Sequence, residues 1–183
     1  MAFKLVIFVV ATAGILYISR ASLQSLRAHG FYRFFAWEAI LVLTLLNLDV
    51  WFDKPFSLPQ SISWLCLCIS LFLVIRGVQL LRVVGKPDDG RRDTSLLGIE
   101  KTTALVTVGL YKYIRHPLYS SLFFLAWGVF FKSPSWIGSG LVAVAMVCLT
   151  ATAKVEETEN IRYFGEAYGE YMKKTKMFIP FVL

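Results

Sequence analysis

The chain has 183 residues, 57% of them hydrophobic, and a mean hydropathy of +0.63. That composition excludes an ordinary soluble domain, and several apolar runs are long enough to cross a bilayer. The net charge of +7 sits on residues flanking those runs, which fits membrane orientation and anionic headgroups and argues against nucleic acid as a partner.

The first apolar run, 3–19, carries Lys4 but has its only small-x-small pattern, Ala11-Thr12-Ala13, in mid-run, so it is expected to be a retained helix and not a cleaved leader. A polar segment with Arg20, Arg27 and Arg33 follows. The second span, 34–52, contains Glu38, Asn47 and Asp49. The last two are expected to reach headgroups, and Glu38 either snorkels or faces the interior. Asp53, Lys54, Pro55 and Pro59 make a turn. In the third span, 61–84, Arg76 either snorkels or meets Glu38 or Glu157.

Residues 85–103 form the longest polar stretch, opened by the turn sequence Gly-Lys-Pro-Asp-Asp-Gly; it reads as a functional loop or a solvated connector. A fourth span, 118–131, reverses at Lys132-Ser133-Pro134 into a fifth, 136–153. Gly138, Ser139, Gly140, Ala143 and Ala145 there allow close packing, so the last two spans are expected to form a hairpin. Beyond Lys154 the chain is charged, with Ile161, Phe164, Tyr168 and Tyr171 at helical spacing. This predicts an amphipathic helix continuous with the fifth span, its aromatic stripe serving either packing or binding. The end, Phe178-Ile179-Pro180-Phe181, is expected to return to the membrane surface.

The expected fold is thus all-α and integral to the membrane: five transmembrane helices and a cytoplasmic amphipathic C-terminal helix. Lys and Arg number fifteen on the side holding 20–33, 82–115 and 154–176, against Lys4, Lys54 and Lys132 on the other. The N-terminus is therefore placed outside and the C-terminus in the cytoplasm, in a bacterial inner membrane. Cys66, Cys68 and Cys148 lie in apolar runs and read as small buried hydrophobes. With only His29 and His116, the chain is too poor in histidine for a histidine-rich diiron site, and no metal is expected.

One polar stretch between apolar runs stands out, Leu105 to Tyr119. Pro117 fits a helix's first turn, so Arg115 and His116 fall at a helix N-terminus, where backbone N–H groups favour an anion. Two readings stand: a ligand-binding lip, or a membrane-surface anchor in the headgroup zone.

Gly109-Leu-Tyr-Lys-Tyr-Ile-Arg115-His116-Pro117-Leu-Tyr119 resembles the Gly-x-Tyr-x-x-x-Arg-His-Pro-x-Tyr motif of the isoprenylcysteine carboxyl methyltransferase and phospholipid methyltransferase superfamily. Glu156-Glu157, Phe164-Gly165, Tyr168, Tyr171 and Pro180 resemble its second motif. The resemblance covers about residues 103–181. It implies an integral membrane methyltransferase that uses S-adenosylmethionine. Length and hydropathy give a single membrane domain over 1–183, in which 1–84 supply three spans and 85–183 a loop, the hairpin and the C-terminal helix, and the resemblance implies that this loop binds the cofactor. It implies that Thr103, Ala104, Leu105 and Val106 line the cofactor largely through backbone, and that Tyr111, His116, Pro117, Leu118, Tyr119 and Glu156 contact it. Arg115 and Glu157 are the catalytic candidates, or else a structural brace.

The chain departs from the pattern in two places. The arginine thought to hold the substrate carboxylate is replaced by Thr152, the candidate substrate contact here, and the usual histidine opening the cofactor segment is Thr103. Both changes count against a prenylcysteine carboxylate. The acceptor is left among a prenylcysteine-like carboxylate, a phospholipid amine and a small hydrophobic thiol, arriving from the bilayer; oligomeric state is left open. The competing functions are an NADPH-dependent membrane reductase related to sterol reductases and a non-enzymatic membrane scaffold.

Overall fold

In a bilayer, apolar sequence satisfies its backbone by coiling into helix, and among the described residues the prolines fall only at first turns and in loops. The structure, a computed structural model, describes residues 2–26, 28–86 and 102–181, and among these six α-helices form: α1 (Ala2–Ser19), α2 (His29–Asn47), α3 (Leu58–Val83), α4 (Pro117–Phe130), α5 (Trp136–Phe164) and α6 (Glu166–Lys174). No strand occurs among the described residues; an isolated parallel bridge joins Ile114 to Lys176. Four helices, α1, α2, α3 and α5, are long and apolar enough to cross a membrane, where five were expected. The fifth, α4, has 14 residues, which is about 21 Å of helix and short of a roughly 30 Å hydrocarbon core.

The helices pair antiparallel. On α3 and α4, Ser63 Oγ donates to the Gly128 carbonyl (2.6 Å) and Ser70 Oγ to that of Ser121 (2.7 Å). These buried hydroxyls bond across helices where water is not at hand. A Cβ on Gly128 would lie 2.9 Å from the Leu67 side chain and 3.2 Å from its backbone nitrogen. Gly128→Ala is therefore expected to lower stability by about 1–3 kcal/mol, through forced separation of α3 and α4, read as a lower midpoint of thermal unfolding in detergent.

Helix α2 packs on α5, and α4 closes the third side. Three apolar clusters stack along this seam: Leu43, Val129 and Val142; Ala39, Ile40, Ala126 and Ala145; and Ala36, Tyr119, Leu149, Ala153 and Phe178. Helix α1 lies outside the seam against α2, with Ser19 its buried residue. It is fastened by Lys4 to Asp49 (2.6 Å) and by Thr12 to Glu38 (2.9 Å).

Several expectations are corrected. Helix α2 starts at His29, so Arg33 is a helical residue, 1% exposed, its guanidinium 4.9 Å from the Trp37 ring, and not part of a polar linker. Asn47 is buried and donates to the carbonyls of Leu43 and Val129 instead of reaching headgroups. Arg76 is exposed and donates to Gln79; it does not enter the bundle to meet Glu38 or Glu157. Of the five small residues on α5, Gly138 and Ala145 face the seam, whereas Ser139, Gly140 and Ala143 are exposed. Helices α4 and α5 do pack as neighbours, but α4 lies more closely against α3, where Ser63, Ser70, Gly77 and Gly128 permit near approach, and α5 against α2. The amphipathic segment is continuous with the fifth span as far as Phe164, where α5 ends; Gly165, at φ 62°, breaks it from α6. At the end of the chain, Phe178 is 2% exposed in the core beside Tyr119 and Leu149, while Phe181 is exposed. The expected 85–103 loop lies mostly in 87–101, outside the described residues.

Candidate active site

Gly109 adopts a φ of 61°, closed to most side chains, and its missing Cβ leaves room for Leu80, which would lie 2.8 Å away. It opens a 3-10 turn, Gly109–Lys112, that leads the chain to Arg115 and His116. There the C-terminal segment comes alongside. Lys176 N–H donates to the Tyr113 carbonyl (3.0 Å), Arg115 N–H to that of Lys176 (2.8 Å), and His116 N–H to that of Met177 (3.2 Å). Pro117 then starts α4, as its missing N–H allows, and Ser120 Oγ reaches the Phe178 carbonyl (2.8 Å).

Around this junction is an open cleft of about 590 Å³. The expected residues Leu105, Val106, Tyr111, Arg115, His116, Leu118, Tyr119 and Glu156 all line it. Tyr119 and Glu156, from different helices, share the same hollow. Thr103, Ala104 and Pro117 do not line it: the N–H groups of Thr103 and Ala104 donate to the Gly85 carbonyl (3.0 and 3.1 Å), which ties the segment to the end of α3. Thr152 is fully buried away from the cleft, its hydroxyl donating to the Cys148 carbonyl (2.8 Å). Leu81, Thr102, Asn160, Phe164, Tyr168 and Tyr171 line the cleft as well. For the last three, the stripe at helical spacing was the available signal. Asn160 was legible as the residue one turn beyond Glu156. Leu81 and Thr102 carried no local signal.

The electrostatics are tightly arranged. Arg115 Nε donates to Glu157 Oε1 (2.6 Å), and Arg115 Nη1 donates to the Met172 carbonyl (3.3 Å) and to that of Thr175. The arginine thus caps the carbonyl end of α6 while pairing with α5, which is the brace reading. His116 lies between two carboxylates, Nε2 at 3.4 Å from Glu157 and Nδ1 at 3.8 Å from Glu156, with its ring stacked on Tyr119. Glu157 is thus committed to Arg115 and His116, while Glu156 faces the cleft.

Tyr171 donates its hydroxyl to the Tyr111 carbonyl (2.7 Å). Burial pushes the phenols of Tyr168 and Tyr171 well above the usual tyrosine range, with the Glu156 carboxylate adding to the effect on Tyr168. Both phenols are neutral in the fold where an unfolded chain's would ionise. The stability they contribute is therefore complete below about pH 10 and falls as pH rises above it. In detergent, the loss of stability between pH 9.5 and 11 (roughly, on that reference value) is expected to be smaller in Tyr171→Phe than in the unaltered protein.

Fold and site together define an integral membrane protein with a polar, aromatic-walled cleft at one end of a helical bundle. The chain belongs to the phospholipid methyltransferase family, whose model matches residues 60–170. It is 31% identical over 151 residues to protein-S-isoprenylcysteine O-methyltransferase of Xenopus laevis, a match covering 78% of this chain and 51% of that one. It is 31% identical over 124 residues to a probable protein-S-isoprenylcysteine O-methyltransferase of Oryza sativa (65% and 63%), and 32% identical over 78 residues to methanethiol S-methyltransferase of Crocosphaera subtropica (42% and 29%). The chain thus spans about half the length of the Xenopus relative. No solved structure matches it.

Proposed function

We propose that the protein is a membrane methyltransferase that takes its methyl group from S-adenosylmethionine and delivers it to a lipophilic acceptor from the bilayer. The observation that carries this reading is the shared cleft: the two motifs of the resemblance, far apart in sequence, meet across one hollow, with Tyr111, His116 and Tyr119 on one side and Glu156 on the other. The relatives' names support methyl transfer, to a prenylated cysteine in one case and to methanethiol in another.

The cleft fits such a cofactor chemically. S-adenosylmethionine carries a carboxylate, an ammonium and a sulfonium at one end and a neutral nucleoside at the other. Glu156 answers the ammonium or a ribose hydroxyl, the start of α4 answers the carboxylate, and aromatic faces answer the sulfonium. When bound, the cofactor supplies an activated methyl group. The residues position the reactants and exclude water, which is most of what an in-line displacement requires. Arg115 and Glu157 act here as a positioning pair. The aliphatic wall of Leu81, Leu105, Val106 and Leu118 gives an apolar acceptor a surface to lie on. Thr152, sealed in the core, offers no cation to an acceptor carboxylate, which favours an amine or thiol.

In the membrane we propose a single domain of five crossings, with the N-terminus outside and the cleft and α6 on the cytoplasmic side of a bacterial inner membrane. The antiparallel run of α4 beside α3, from Leu118 near Gly77 to Gly128 near Leu67, supports α4 as the short fifth crossing, and the distribution of Lys and Arg supports the orientation. Binding of labelled S-adenosylmethionine by the purified protein tests the function. Saturable binding is expected, with thermal stabilisation by that compound and none by NADPH; the reverse pattern sinks the methyltransferase reading.

A further inference from the structure

His116 is held from outside the cleft as well as from within it. At 3.4 and 3.8 Å, its contacts with Glu157 and Glu156 lie at or beyond the outer limit of a hydrogen bond. The carboxylates therefore do not by themselves set the angle of the ring, and packing has to. The imidazole stacks on Tyr119, with 5.4 Å between centroids and 19° between planes, and it meets the Phe178 ring at 6.4 Å and 56°. Tyr119 lies three residues on, in the first turn of α4, and moves with His116. Phe178 comes from the far end of the chain.

Phe178 is itself closely held. It is 2% exposed among Tyr119, Leu149 and Ala153, and its ring stacks on Phe123 at 6.4 Å. Its backbone is pinned to the stretch that carries His116. The His116 N–H donates to the Met177 carbonyl (3.2 Å), and Ser120 Oγ donates to the Phe178 carbonyl (2.8 Å). A binding group keeps its productive angle when the neighbours that hold it are locked by their own packing. Phe178 meets that condition, and it stands behind the wall of the cleft instead of lining it.

We infer that Phe178 is a positioning residue for His116: its ring sets the angle at which the imidazole is presented to the cleft. What that presentation serves, cofactor binding, rests on the methyltransferase reading. The placement goes beyond that reading, since Phe178 belongs to neither motif of the resemblance. An imidazole bonds through two nitrogens in the plane of its ring, so a tilt of the ring misaligns both together. An aliphatic side chain at this position would fill space without offering a flat surface to the imidazole. With leucine there, His116 is expected to sample more than one angle between Glu156 and Glu157.

The test uses the full chain in detergent, which has two histidines, His29 and His116. NMR of isotope-labelled imidazole nitrogens reports hydrogen bonding and tautomer, with little influence from a neighbour's ring current. In Phe178→Leu the His116 nitrogen signals are expected to shift or broaden while those of His29 stay in place. S-adenosylmethionine should bind to that variant roughly tenfold more weakly, the scale of one misaligned hydrogen bond. Leu149→Val is the control. It thins the same apolar cluster and supplies no ring to the imidazole, so it should leave the His116 signals and the affinity nearly unchanged. His116 signals identical in Phe178→Leu and the unaltered protein overturn the inference. Signals that change equally in Leu149→Val overturn it too, because they report a loosened core and nothing more. So does an undiminished affinity of Phe178→Leu when the unaltered protein binds the cofactor. If the unaltered protein binds no S-adenosylmethionine, the methyltransferase reading falls, and the histidine signals still decide whether Phe178 places the ring. Should Phe178→Leu not fold, Phe178→Met is read in the same way.

Discussion

Replacing Glu156 by alanine is expected to weaken S-adenosylmethionine binding by roughly a hundredfold, the scale of losing a charged hydrogen-bond partner in a sheltered site. Glu156 lines the cleft with a side chain 17% exposed, and its ion-pair neighbour is His116 at 3.8 Å. That separation is long for a hydrogen bond, so the carboxylate is held near the cleft without being consumed by the fold. Glu156→Ala should therefore leave the thermal midpoint of the cofactor-free protein nearly unchanged. His116→Ala should produce a comparable loss of binding. It removes a ring stacked on Tyr119 and a partner of both carboxylates, while the backbone bond from its N–H to Met177 remains. Labelled-cofactor binding beside thermal unfolding checks the pair. If both variants bind normally, the cofactor does not lie where these residues are.

Arg115→Met is expected to act the opposite way, on the fold before the ligand. Its guanidinium is 10% exposed and serves three acceptors at once: the Glu157 carboxylate and two carbonyls at the end of α6. Removing it leaves the carboxylate of Glu157, itself 9% exposed, with only the longer His116 contact at 3.4 Å in place of its arginine, at a cost of about 3–5 kcal/mol. It also frees the C-terminal segment that lies along Arg115 and His116. A fall in thermal midpoint on the order of 10 °C is expected, with earlier proteolytic cutting after α6. The double variant Arg115→Met, Glu157→Leu should be more stable than Arg115→Met alone, because no charge is then left unpaired. Equal stability of the single and double variants would show that the pair does not couple α5 to α6.

Much of the site was legible because its signals are local. Pro117 after His116 marks a helix start in any context, and Glu156, Asn160 and Phe164 share a face by spacing alone. The aromatic stripe was equally visible, yet spacing does not say whether a buried ring faces a neighbour or a hollow, and Tyr168 and Tyr171 turned out to do both. The conjunction of the two motifs was a resemblance; the shared hollow is geometry.

Composition and periodicity alone determined that this chain is helical and lives in a membrane, since apolar runs of such length satisfy their backbones in a bilayer by coiling into helix. They also marked Arg115 and His116 as a helix mouth. Partner choice belonged to the tertiary structure. Arg115 with Glu157, the close pairing of α3 with α4, and Phe178 in the core each depend on contacts between residues distant in the chain. A snorkelling cation and a buried one look the same in sequence. Which of the two a residue becomes is decided by the acceptors and rings that packing brings within reach, and here that put Arg76 outside and Arg115 within.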